Sequence, residues 1–144
     1  MNLEERINRA EEVKNKYCEI IKKLPILEGS EKQILWANDI RKTYVELVNE
    51  FVAYKFDKKR LTPIIVNLVV INYMLENIKE ARFYINNRVL LKCGYEAMAE
   101  RFALNKIKRP SDFDSSIDYL VSLVRDGMDI DNIIKMLNEK IKEK

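Results

Sequence analysis

The sequence predicts an all-α fold, a single compact multi-helix bundle of five to seven helices spanning residues 1–144 with a long central helix. Three observations carry this expectation. Apolar residues recur every three or four positions along most of the chain, the period of a helix with one buried face. Only three Gly and three Pro occur in 144 residues, too few for a turn-rich β fold. Recognisable helix stops and starts separate the periodic segments.

The first helix is read over residues 3–24. Leu3, Ile7, Ala10, Val13, Tyr17, Ile20, Ile21 and Leu24 fall on one stripe, with Glu and Lys/Arg on the other face. Pro25 ends it, because proline lacks an N–H and drives Leu24 out of the helical region. Gly29 then lets the chain turn, and Ser30 with Gln33 forms a capping box for a second helix from Glu31 to about Tyr54. Its inward sector holds Ala37, Ile40, Tyr44, Leu47, Val48 and Phe51. Lys32, Trp36 and Asp39 lie off that sector, and Arg41 sits at its edge.

Thr62-Pro63 reads as the N-cap and first position of a third helix. Residues 64–71 are apolar nearly all round, so a buried strand competes with the helix there. The helical phase set by Ile71 continues through Met74, Leu75, Ile78, Ile85 and Val89, which favours one long central helix, bent near Asn77 and closed by Gly94. Tyr95, Met98, Ala99, Phe102 and Ala103 mark a short helix. A fifth, with Ile117, Leu120, Val121 and Val124, is capped from within 111–116 and stopped by Asp126-Gly127. Asp129 or Asp131 caps the last.

Composition narrows the chemistry. The length suits one domain with its own core, and 47% hydrophobic with 34% charged residues describes a soluble protein. No His is present, which removes the commonest general base, metal ligand and pH switch together. Cys18 and Cys93 stand apart and read as reduced, small buried hydrophobes. The charged N-terminus lacks a signal-peptide core, and the longest apolar run is too short for a bilayer, so a cytoplasmic protein is expected. No phosphate loop, nucleophile elbow or metal set is found. The expectation is a non-enzyme with no cofactor and no metal.

Charge is segregated. Residues 55–109 carry 12 Lys/Arg against 5 Asp/Glu, whereas residues 112–131 carry 6 acidic residues against Arg125 alone. The basic 55–109 segment, through Lys58, Lys59, Arg60, Lys106, Lys108 and Arg109, would suit a small nucleic-acid-binding regulator. Residues 120–134 have the form of a helix-turn-helix. Asp129 and Asp131 at the start of its second helix have the wrong sign for phosphate.

Two blocks, Leu27-Glu-Gly-Ser-Glu-Lys-Gln-Ile-Leu-Trp-Ala-Asn-Asp-Ile-Arg41 and Glu80-Ala-Arg-Phe-Tyr-Ile-Asn-Asn-Arg88, are notable together. They resemble, in order and separation, segments of small proteins from phages and mobile elements of low-GC Gram-positive bacteria. The group's second block reads Trp-Ile-Asp-x-Arg, so Tyr84 stands for its Trp and Asn86 for its Asp. The blocks cover 24 of 144 residues. The resemblance implies an accessory protein that binds a host protein or ribonucleoprotein, such as an inhibitor of a CRISPR-type defence system. It carries no implied chemistry. The blocks are either a polar seam between helices or a partner-binding patch, for which Lys32, Trp36, Arg41, Tyr84, Asn87 and Arg88 are the candidates.

Arg82 falls in the middle of the central helix's apolar sector. It is therefore expected to be buried and paired, with Arg82→Ala costing about 3 kcal/mol. Arg88, well around the cylinder, is expected to be exposed and to cost less than about 1 kcal/mol.

Overall fold

The computed structural model describes residues 2–54 and 58–139, without the side chains of Tyr54 and Lys58. Every regular element among them is helical: α1 (Leu3–Lys22), α2 (Glu31–Tyr54), α3 (Leu61–Asn77), α4 (Ala81–Asn86), α5 (Arg88–Lys92), α6 (Tyr95–Lys106), α7 (Ser116–Arg125) and α8 (Ile130–Asn138), with a 3-10 turn at Lys58–Arg60. The all-α expectation holds, with eight α-helices rather than five to seven.

Helix α3 is the axis of the molecule. Ile65, Val66, Leu68, Val70, Ile71, Met74 and Leu75 are fully buried, so apolar side chains leave it in every direction. Helix α1 lies along one side, and α6, α7 and α8 cover others. Each large aliphatic side chain removed from water contributes about 1.5–3 kcal/mol. That explains how α3 forms although Arg60 supplies no side-chain cap at its start. It begins two residues before Pro63, and the proline sits in the first turn, where a missing N–H costs nothing. Along the part of α3 that has no polar face, Asn67 and Asn72 have nowhere to go except inside. Asn72 Nδ2 donates to the Val13 carbonyl at 3.2 Å, tying α3 to α1, and Asn67 Nδ2 donates to the Pro63 carbonyl at 2.8 Å.

The long central helix is broken. Instead of running to Gly94, α3 stops at Asn77, and Ile78 turns extended with φ −88° and ψ 115°. The segment after it pairs with the α1–α2 loop. Glu28 N–H donates to the Lys79 carbonyl at 2.7 Å and Ala81 N–H to the Glu28 carbonyl at 2.8 Å, a single parallel bridge between Glu28 and Glu80. The helix restarts in a new direction as α4, then turns again at Asn87. There the Asn87 N–H and side-chain amide both donate to the Phe83 carbonyl, at 3.1 and 2.8 Å. The helical phase read from Ile71 to Val89 is lost at this break.

The predicted caps are largely in place. Ser30 N–H donates to Gln33 Oε1 at 3.0 Å and Gln33 N–H to Ser30 Oγ at 3.2 Å, the reciprocal capping box. Gly29 has φ +151°, and a Cβ there would lie 2.9 Å from Gln33 Oε1, so glycine is required for the box to close. Ser115 caps α7, and Asp129 caps α8. Glu100 on α6 also accepts from Ser116 and Ile117 N–H, both at 3.0 Å, locking α6 to the start of α7. Both cysteines are free, Cys18 half-buried and Cys93 exposed, the latter against the expectation of burial. Among the described residues no helix is long and apolar enough to cross a membrane.

Buried tyrosines make this core sensitive to alkali. Burial holds the Tyr44 phenol well above its usual range and pushes Tyr84 up to about 12. Both stay protonated in the folded protein at a pH where the unfolded chain, with phenols near 10, releases its protons. Their stabilising contribution is therefore complete below about pH 10 and falls as pH rises through 10 towards 12, by up to about 1.4 kcal/mol per pH unit for each group. Tyr17 and Tyr95 shift in the same direction, also mainly through burial. Urea denaturation should give equal stabilities at pH 6 and 8 and a steep loss between pH 10 and 11.5.

Candidate partner-binding face

The bridge at Glu28–Glu80 sets α4 and α5 against α2. It thereby joins the two sequence blocks into one seam. The seam has a buried half and an exposed half, divided by the direction each side chain takes from its helix.

Arg41 and Tyr84 form the buried half. Arg41 is 7% exposed. Its Nη1 donates to the Pro25 carbonyl at 2.8 Å, and its Nη2 to Asn38 Oδ1 at 3.2 Å. Its guanidinium carbon lies 5.8 Å from the Tyr84 ring centre. It forms no ion pair among the described residues. A carbonyl, an amide oxygen and a ring face hold this cation, and that set replaces the carboxylate a buried arginine commonly has. Tyr84 is fully enclosed, with Phe83 edge-on at 5.3 Å between centroids. Burial raises its phenol pKa, and neighbouring Arg41 partly opposes the rise. No described residue hydrogen-bonds the hydroxyl. Arg41 and Tyr84 are thus structural supports, inaccessible to a partner.

Trp36 and Arg88 form the exposed half. Trp36, 50% exposed, does not anchor the core. The Arg88 guanidinium lies over its ring at 5.2 Å, while Arg88 Nη1 donates to the Ile85 carbonyl at 2.7 Å. The hydrogen bond and the ring contact both favour this placement of the guanidinium over the indole. Next to Arg88 in the chain, Val89 is 70% exposed. Lys32, one turn before Trp36, is exposed as well. Asn87 is half-buried, its amide spent on the turn between α4 and α5.

Arg82 is exposed, contrary to the expected burial, and Val89 is likewise outside. Both inversions follow from the helix break, because the phase of α3 does not carry into α4 and α5. With Asn86, Arg82 lines an open depression of about 450 Å³ against Glu28, Gly29, Gln33 and Glu80. Residues 81–95 hold three cations and no carboxylate. That local excess of positive charge was the available signal for this face.

The basic candidates are divided between two connectors. Lys59 and Arg60 are exposed on the 3-10 turn before α3, and the Lys58 side chain lies outside the described residues. After α6, Lys106 reaches over the Phe102 ring at 5.7 Å, Lys108 is exposed, and Arg109 Nη2 donates to the Asp114 carbonyl at 3.3 Å. Lys106 and Arg109 therefore already serve intramolecular contacts. Among the described residues no group of three or more His, Cys, Asp or Glu is placed to hold a metal ion.

No protein-family model matches the chain, nor does any curated protein or solved structure.

The large cost expected at Arg82 should fall on Arg41 instead, because Arg41 is buried and Arg82 exposed. Arg41→Ala leaves the Pro25 carbonyl and the space over Tyr84 unfilled, and should cost about 2–3 kcal/mol. Arg82→Ala should stay within about 0.5 kcal/mol of the parent. Chemical denaturation of both variants reads the difference directly; equal losses would mean that Arg41 is not buried in solution.

Proposed function

We propose that this chain is a non-catalytic binding protein, and that the face centred on Trp36, Arg88 and Val89 engages a host protein or ribonucleoprotein. The observation that carries the reading is a half-exposed tryptophan clamped under an arginine beside a 70%-exposed valine, on helices anchored from behind by Arg41 and Tyr84. Tryptophan and arginine concentrate binding energy at interfaces, and a prearranged pair loses little conformational entropy on docking. Isolated exposed hydrophobics are ordinary on any surface. Here the indole lies under Arg88, Val89 follows Arg88 in the chain, and Gln33, one turn before Trp36, lines a 450 Å³ depression.

The resemblance of the two blocks to proteins of Gram-positive phages and mobile elements supports an accessory protein acting in the bacterial cytoplasm. Inhibition of a defence system such as CRISPR is the activity this reading favours, because an inhibitor needs only to occupy a surface. The reading invokes no cofactor and no chemical step.

Affinity capture from a low-GC Gram-positive lysate tests it. The parent protein and a Lys108→Glu/Arg109→Glu variant should retain the same stoichiometric protein partner. A Trp36→Ala/Val89→Asp variant with parental thermal stability should lose it. Retention by the Trp36→Ala/Val89→Asp variant would remove this face from the interaction. Recovery of nucleic acid that only the Lys108→Glu/Arg109→Glu variant fails to hold would replace the proposal with the nucleic-acid regulator.

A further inference from the structure

Helices α1, α3 and α8 border a cleft of about 260 Å³ that shares no residue with the face around Trp36. Its walls are largely apolar, with Val13, Val69 and Ile130 buried and Ile134 exposed. Asn72 lines the same cleft and is 7% exposed. Its Nδ2 donates to the Val13 carbonyl at 3.2 Å, which orients the amide. Its Oδ1 is buried, and no described residue donates to it. A buried amide oxygen without a donor is costly, and folded proteins seldom leave one. The larger hollows beside Met128 and Gln33 are lined by no such group.

We propose that this cleft is a second binding site, for a neutral small molecule that has an apolar body of one or two rings and gives a hydrogen bond to Asn72 Oδ1. The site is independent of the docking role proposed above. A few converging polar groups in an apolar cleft are the usual make-up of a ligand site. An apolar cavity of about 150 Å³ takes benzene, so about 260 Å³ leaves room for one or two rings. Neighbouring atoms screen Oδ1 from solvent, and the donor reaches it through a side-chain shift in the cleft wall, a common adjustment on binding.

The rim selects against charge. Lys16 Nζ pairs with Glu76 at 3.3 Å, and Arg9 Nη1 with Glu12 at 2.8 Å. An anion would have to break one of these pairs, and it would also meet the exposed Asp131 carboxylate. A cation gains only that one exposed carboxylate, a contact worth little in water. A neutral ligand leaves both pairs in place. A peptide segment fits less well, because its backbone N–H and C=O groups would find no partners along the aliphatic walls.

Indole and naphthol each carry one donor on two rings, whereas N-methylindole and methoxynaphthalene keep the rings without the donor. Titrated into the nitrogen-labelled protein and followed by NMR, indole and naphthol should shift the Asn72 side-chain amide and the Ile130 backbone amide to saturation. They should bind about tenfold more tightly than their methylated counterparts, the order expected for one hydrogen bond to a buried acceptor. An Asn72→Leu variant with unchanged circular dichroism should bind each methylated probe as tightly as its unmethylated form. If that variant does not fold, Ile134→Arg, at an exposed position, should abolish binding of every probe with the fold retained. Equal binding of methylated and unmethylated probes to the unaltered protein would overturn the hydrogen bond to Asn72 and the proposal with it. Absence of saturable shifts, or shifts that persist in the Ile134→Arg variant, would overturn the site itself.

Discussion

Two backbone hydrogen bonds, from Glu28 N–H to the Lys79 carbonyl and from Ala81 N–H to the Glu28 carbonyl, are the contacts on which the candidate face depends. They take over backbone groups that a continuous helix from α3 into α4 would have satisfied internally. Because buried backbone polar groups must be paired somewhere, the loop before α2 and the end of α3 compensate each other. Without that bridge, α4 would extend the axis of α3 and Arg82 would turn inward. With it, α4 and α5 swing against α2 and bring the second block to the first.

The bridge also explains the two fates of the residues in those blocks. Gly29 has the backbone freedom that lets Ser30 and Gln33 cap α2 immediately beyond the bridge. The loop carbonyl at Pro25 is then within reach of Arg41, four helical turns' worth of chain away in sequence but adjacent in space. Arg41 and Tyr84 close the interior of the seam, and their burial leaves Trp36 and Arg88 at its rim. Rigidity at the rim is a consequence of packing behind it. The same architecture therefore accounts for a stable fold and for a prearranged contact pair, with no strained residue at the face itself.

Polar groups inside this core are few and are used as ties. Asn72 joins α3 to the Val13 carbonyl, Tyr17 donates to Asn49 Oδ1 at 2.7 Å, and Tyr44 donates to the Tyr95 carbonyl at 3.2 Å. Each of these links helices distant in sequence. Apolar packing alone tolerates sliding between helices, whereas a directional bond has one favourable position. The Phe51–Tyr95 stack, with centroids 3.8 Å apart, adds a further fixed point between α2 and α6. With both cysteines free, such contacts select one packing of the bundle.

Local patterns determined much of the fold by themselves. The period of apolar residues marked α1, α2, α6, α7 and α8, and several of their ends followed from Pro25, the Ser30–Gln33 box, a cap within 111–116 and Asp129 or Asp131, because caps and stops act over three or four residues; the structure selects Ser115 and Asp129. The buried sector of α2 was legible for the same reason. What lay beyond sequence was the break at residues 78–80, which contains neither Gly nor Pro. Its cause is a hydrogen-bonded partner some fifty residues earlier, in the loop at Glu28. A helical phase carried across that point put Arg82 and Val89 inside, whereas the apolar sector of α2 placed Arg41 only at its edge. The blocks could be named from the sequence as one seam, but tertiary packing decided which residues face the core and which face solvent. Periodicity reports which side of its own helix a residue occupies, and only the arrangement of neighbouring helices decides whether that side is covered.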